Sequence, residues 1–160
     1  MSTFISRLIN AQGYVAKGAV VGHPFEGNQY TEAKSDISFG QSNLQGAIGK
    51  ERGQEGRGGV ADGDHMWDAY HALEQGHRAM AELHRQAAEK ATGEEYAKHV
   101  RAQGLHERAA SASMIARVDA DKGENSIGST NHATVLRGMS KMAQRVLKES
   151  QKATQASESI

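Results

Sequence analysis

Residues 64–121 read DHMWDAYHALEQGHRAMAELHRQAAEKATGEEYAKHVRAQGLHERAASASMIARVDAD, and this run decides the fold. Asp64 suits a helix N-cap, where its carboxylate accepts from the first free backbone N–H groups. Behind it Met66, Tyr70, Leu73, His77, Met80, His84, Ala87 and Ala91 recur at steps of three and four, the spacing of one face of a helix. Thr92-Gly93 interrupts the run. Glu94 and Glu95 then suit the first turn of a second helix, where carboxylates meet the positive end of the helix dipole. That helix is expected over about 94–120, with a stripe of Tyr96, Val100, Gln103, Ala110, Met114 and Val118. At 1.5 Å per residue each helix is roughly 40 Å long, and the short break between them predicts antiparallel packing.

The same spacing organises the histidines. His77 and His84 are seven apart, as are His99 and His106. With the turn near residues 91 and 92, His84 falls opposite His99 and His77 opposite His106. Paired imidazoles can hold zinc, nickel or copper, or titrate near their ordinary pKa of about 6.5. The chain has no cysteine, and Glu74, Glu82 and Glu107 are expected to face water. The expected role of His77, His84, His99 and His106 is therefore structural, with neither metal nor cofactor. His65 and His71 do not share a helix face, the HExxH zinc pattern is absent, and His132 is expected at an exposed helix start.

Beyond the hairpin, Asp121 to Thr130 reads as a loop. Ser129 or Thr130 would cap a third, amphipathic helix over 131–152. Its inner row is Val135, Met139, Met142 and Val146, flanked by Leu136, Ala143 and Leu147, with Arg137, Lys141, Arg145 and Lys148 on other faces. The tail KESQKATQASESI turns polar and is expected to fray or to form an exposed helix end.

Residues 1–63 differ in kind. They hold 12 of the 18 glycines, the only proline, and five of the eight aromatic residues: Phe4, Tyr14, Phe25, Tyr30 and Phe39. Glycine loses much backbone entropy on ordering, whereas a merely solvated linker would be poor in aromatics. The combination predicts an extended, loop-rich arm, with room for a short strand around Tyr14 to Val21. Its rings would serve as anchors, either as part of a flap over the chain's own helices or on a neighbouring subunit. Glu51 to Asp64 reads as a linker. The fold expected is mainly α: an arm over 1–63 and a helical domain over 64–160, with helices at about 65–91, 94–120 and 131–152.

Composition narrows the function. In 160 residues, 19 Lys and Arg balance 19 Asp and Glu, which argues against a nucleic-acid coat. Arg57-Gly58-Gly59 is a single RGG among Glu51 and Glu55, a poor RNA signal. No apolar run approaches the roughly 20 residues of a membrane span, and the start MSTFISRLIN lacks a signal-peptide layout. Gly46 to Lys50 ends in GK, but Glu51 stands where a P-loop needs Ser or Thr. Nothing resembles GxSxG, and no enzyme is expected.

The most distinctive string is GHPFEGNQYT, Gly22 to Thr31. Pro24 fixes one φ, Gly22 and Gly27 permit tight bends, and Phe25 and Tyr30 are displayed between them. The string resembles a GHPF-x-GNQYT element of tailed-bacteriophage proteins, often of the head or virion, and the Ala- and His-rich hairpin is similar in style to segments accompanying it. The resemblance covers ten residues closely and carries no catalytic motif. It implies a virion structural protein, head-associated or of cement type, made in the host cytoplasm. Other virion subunits, such as a major capsid or portal-region protein, would be its partners, and a homo-oligomer is expected. A non-virion regulatory or nucleic-acid-binding helical protein, and an internal protein ejected from the particle, are the alternatives.

Overall fold

The computed structural model describes the backbone of residues 25–53, 63–126 and 132–160, and the side chains of 25–48, 66–120 and 141–160. It is mainly helical: α1 (Asn28–Gly53), α2 (Gly63–Lys90), α3 (Gly93–Ser126) and α4 (His132–Glu158). No strand occurs among the described residues. Around the bundle α1 packs on α2, α2 on α3, α3 on α4 and α4 on α1. His77 meets His106 and His84 meets His99, so α3 runs antiparallel to α2. Gly40 lies on Leu73 and Gly76 on Ile37, so α1 does the same. His77 reaches Ser150 and His84 reaches Ser157, so α4 runs parallel to α2.

One repeat lies behind this. Buried positions alternate steps of three and four on every helix: Ala33, Ile37, Gly40, Leu44 and Ala47 on α1, and Met66, Tyr70, Leu73, His77, Met80 and His84 on α2. On α3 they are His99, Ala102, His106, Ala109, Ser113, Ala116 and Ala120, and on α4 Ala143, Val146, Ser150, Ala153 and Ser157. A seven-residue repeat keeps one seam of each helix turned to the bundle axis.

The arm expected over 1–63 is corrected where the structure describes it. Residues 28–53 form α1, a helix of 26 residues packed on α2 and α4. Its glycines hid it, since each costs about 1 kcal/mol relative to alanine in a helix. Burial of Ile37 and Leu44, worth about 1.5–3 kcal/mol each, offsets that cost. Gly40 also has a packing role: a Cβ there would lie 2.4 Å from Leu73 Cγ and 2.9 Å from the Ala69 carbonyl oxygen. Gly76 mirrors it, with a Cβ 2.8 Å from Ile37 Cγ1 and 2.9 Å from the Ala33 oxygen. Two bare backbones let α1 and α2 close on each other. Gly27, at φ 118°, turns the chain into α1, and its carbonyl accepts from Thr31 N–H at 3.1 Å and Thr31 Oγ1–H at 2.9 Å.

Other boundaries shift. Helix α3 continues through residues 121–126, which were expected to be loop, and α4 continues to Glu158. The polar tail is no frayed end, because Ser150, Ala153, Ala156 and Ser157 are buried. Phe4, Tyr14 and the suggested strand lie outside the described residues, as do Ser129, Thr130 and the RGG. Gly93, at φ 60°, turns the chain between α2 and α3. No helix among the described residues is long and apolar enough to cross a membrane.

Candidate functional site

The four histidines His77, His84, His99 and His106 are sealed inside, each at most 1% exposed. They form two layers one heptad apart, each built from a histidine of α2, a histidine of α3 and a serine of α4. In the first, His77 Nδ1 lies 2.8 Å from His106 Nδ1, and His77 Nε2 lies 2.7 Å from Ser150 Oγ. In the second, His84 Nδ1 lies 3.0 Å from His99 Nδ1, and His84 Nε2 lies 2.6 Å from Ser157 Oγ. Ser157 also joins the layers, since His106 Nε2 is 2.6 Å from the same oxygen. The rings of His84 and His106 stack at 5.5 Å.

One assignment of protons runs through every link of this chain. Gln41 Nε2 can only donate, and it donates to Ser150 Oγ at 2.9 Å and to Thr154 Oγ1 at 3.2 Å. Ser150 O–H then donates to His77 Nε2, so His77 carries its proton on Nδ1 and donates to His106 Nδ1. His106 Nε2–H donates to Ser157, whose O–H donates to His84 Nε2. His84 Nδ1–H donates to His99 Nδ1, leaving the His99 proton on Nε2. That atom faces Glu95 Oε2 across 3.8 Å, longer than a hydrogen bond but within reach of the carboxylate charge. Every imidazole is neutral in this arrangement, and each inner link has one donor and one acceptor. Reversing the polarity would turn a ring lone pair toward Glu95.

Burial enforces the neutral form of His77 and His106. It lowers the His77 pKa to about 3, helped by the neighbouring His106, and the His106 pKa to about 4. The facing ring nitrogens lie 2.8 and 3.0 Å apart, at hydrogen-bond rather than metal-bridged spacing. Two imidazoles on a tetrahedral metal at about 2.05 Å place their nitrogens about 3.3 Å apart. Among the described residues no three His, Cys, Asp or Glu side chains gather as a metal group.

Phe25 closes one end of the bundle. It is 3% exposed, edge-on to His84 at 4.5 Å and to His99 at 5.8 Å, and stacked on Tyr30 at 5.6 Å. Of the two expected anchors in this string, Phe25 packs in the chain's own core, and Tyr30 is partly buried against it. Burial raises the Tyr30 pKa. Phe39, on α1, is 51% exposed. Glu74, expected in water, is buried and held by Arg78 at 2.7 Å and Arg117 at 3.0 Å, which ties α2 to α3.

The apolar stripe expected on α3 is corrected too. Tyr96, Val100 and Val118 are exposed, together with Ile115, while the buried face is alanine, histidine and serine. Helix α3 thus carries imidazoles inward and apolar side chains outward. Sequence reasoning missed Ser150, Ser157 and Gln41. The serines had a signal, because they repeat the seven-residue spacing of the histidines they meet. Compared with known proteins, the chain matches no family model, no curated protein and no solved structure.

Proposed function

We propose that this chain is a non-enzymatic assembly subunit, a structural protein of a tailed-bacteriophage particle, head-associated or of cement type. One observation carries the reading: the outward face of α3 displays Tyr96, Val100, Ile115 and Val118, the last three as branched aliphatic side chains in water. Exposed apolar rows of this kind mark contact surfaces. The side chains with chemical potential point the other way. Their protons and lone pairs are consumed within the bundle, where the histidine and serine layers hold register between helices. The GHPFEGNQYT string supports the phage context, and Phe39 on α1 offers a second exposed ring for contact with another virion subunit.

Mass spectrometry of purified particles tests the reading. The protein is expected in the particle at a fixed ratio to the shell subunit. Val100→Glu with Ile115→Glu, which puts two charges on the α3 face, is expected to leave the helical circular dichroism intact and abolish incorporation. Abundant protein in infected cells with none in particles would refute the proposal.

A further inference from the structure

We infer that α4 and the adjoining flank of α3 carry a binding face for the sugar–phosphate backbone of duplex DNA. The face is separate from the apolar row of Tyr96, Val100 and Val118, and the inference does not depend on the assembly reading above. At about 100° per residue, Lys141, Arg145, Lys148 and Lys152 share the side of α4 opposite its buried Val146, Ser150 and Ala153. On α3, Met114 and Arg117 meet Arg78 and Glu74 of α2. Lys98, Arg101 and Arg108 lie on the opposite flank of α3, the one bordering α4. The cations of both rows are exposed.

The histidine layers set the two rows side by side. Ser150 shares a layer with His106, and Ser157 with His99. Lys148 is therefore level with Arg108, and Lys152 stands between the levels of Arg108 and Arg101. From the level of Lys141 to that of Lys98 the face runs about 26 Å at 1.5 Å per residue. Among the described residues none of these cations enters an ion pair, whereas Arg78, Arg85 and Arg117 are each held by glutamate. Nearby carboxylates leave the rows unanswered. Glu149 makes no ion pair either and has its Oε1 buried, and Glu94 and Asp119 fall beyond the two ends. Zero net charge thus conceals a sorted surface, since residues 25–48 hold Glu26, Glu32 and Asp36 against Lys34 alone.

The chemistry of the face selects its partner. Unpaired lysine and arginine rows match phosphates, which they neutralise with release of condensed counterions. Two helices packed about 8–10 Å apart separate the rows by a distance comparable to a duplex groove, about 6–12 Å wide. Each row then meets one of the two strands bordering the groove. A length of about 26 Å covers about three quarters of a duplex turn of about 34 Å. Between the levels of Arg101 and Arg145 no large apolar or aromatic side chain of the described residues is exposed. The bases of a single strand would find no ring to stack on there, and a protein partner no apolar centre to bury. Contact with the backbone alone is independent of base sequence.

The test uses the full chain and a fluorescently labelled duplex longer than the face, with binding followed by anisotropy from about 50 to about 200 mM salt. About five phosphate contacts predict that log K falls with log salt concentration at a slope of about −4.5, a loss of about 500-fold across that range. Arg108→Gln with Lys148→Gln should keep the helical circular dichroism, since both side chains are exposed. It should reduce the slope by about two and weaken binding at the low-salt end about tenfold or more. Lys90→Gln, at the end of α2 and off this face, should change neither quantity. No binding at low salt, an affinity indifferent to salt, or a double variant that binds as the wild type does would overturn the inference. So would tighter binding of the single strand, which would assign the face to bases, or equal affinity for polyglutamate, which would assign it to acidic protein.

Discussion

Lowering the pH from about 7.5 to about 5 should destabilise the bundle through two histidines alone, by an amount that follows from linkage. His77 and His106 are neutral when folded, with pKa values lowered to about 3 and about 4. In the unfolded chain each returns to about 6.5. The unfolded state therefore binds more protons at every pH between the folded and unfolded values. Above about 6.5 both states are neutral and the two groups impose no pH dependence. Below it, stability falls by about 1.4 kcal/mol per pH unit per histidine, until the folded pKa is reached. At pH 5 that is about 2 kcal/mol each and about 4 kcal/mol together, against a typical total of about 5–15 kcal/mol. The figure is insensitive to how far below 5 the folded values lie. Above pH 5 most carboxylates stay ionised; Glu82, whose pKa is lowered by its hydrogen bond from Arg85, loses its contribution only at lower pH. Urea unfolding followed by far-UV circular dichroism should show the midpoint falling steadily below about pH 6.5 with an unchanged slope. A midpoint that is flat down to pH 5 would mean that the folded chain accepts these protons, and would refute the neutral, sealed arrangement.

Ser157→Ala should cost about 3 kcal/mol, because it leaves two buried imidazole nitrogens, on His84 and His106, without their partner; Ser150→Ala should cost less, since one imidazole depends on it, and equilibrium unfolding compares them. Gly40→Ala should destabilise by about 1–3 kcal/mol despite alanine's better helix propensity, because its Cβ would collide with Leu73, whereas Gly46→Ala, which meets nothing, should stabilise by about 1 kcal/mol in the same melts. Phe25→Ala should cost about 3–5 kcal/mol and lower the thermal midpoint, an effect that a purely intermolecular anchor would not have on the isolated chain.

How much of this the sequence discloses depends on what fills each seam. Helix α2 is legible because Met66, Tyr70, Leu73 and Met80 mark its inner face with large apolar groups. The cross-hairpin histidine pairs are legible because antiparallel packing about Thr92-Gly93 requires them. Helix α1 is obscured by Gly40 and its neighbours, since local propensity counts their cost and not the close approach to α2 that they allow. On α3, hydrophobicity points to the wrong face: Ala102, Ala109 and Ala116 are small enough for tight packing, and the larger apolar residues are left outside. Ser150 and Ser157 look like a solvated tail until the histidines they satisfy are placed beside them. In each case tertiary contact decides what composition does not.

Ring-nitrogen NMR of histidine-labelled protein at neutral pH tests the central claim most directly, because each imidazole reports which nitrogen holds its proton. The hydrogen-bonded chain from Gln41 to His99, with the Glu95 carboxylate beyond it, predicts His77 and His84 as neutral Nδ1–H tautomers and His106 and His99 as neutral Nε2–H tautomers. Rapidly averaged tautomers, or a protonated imidazolium among these four, would contradict it.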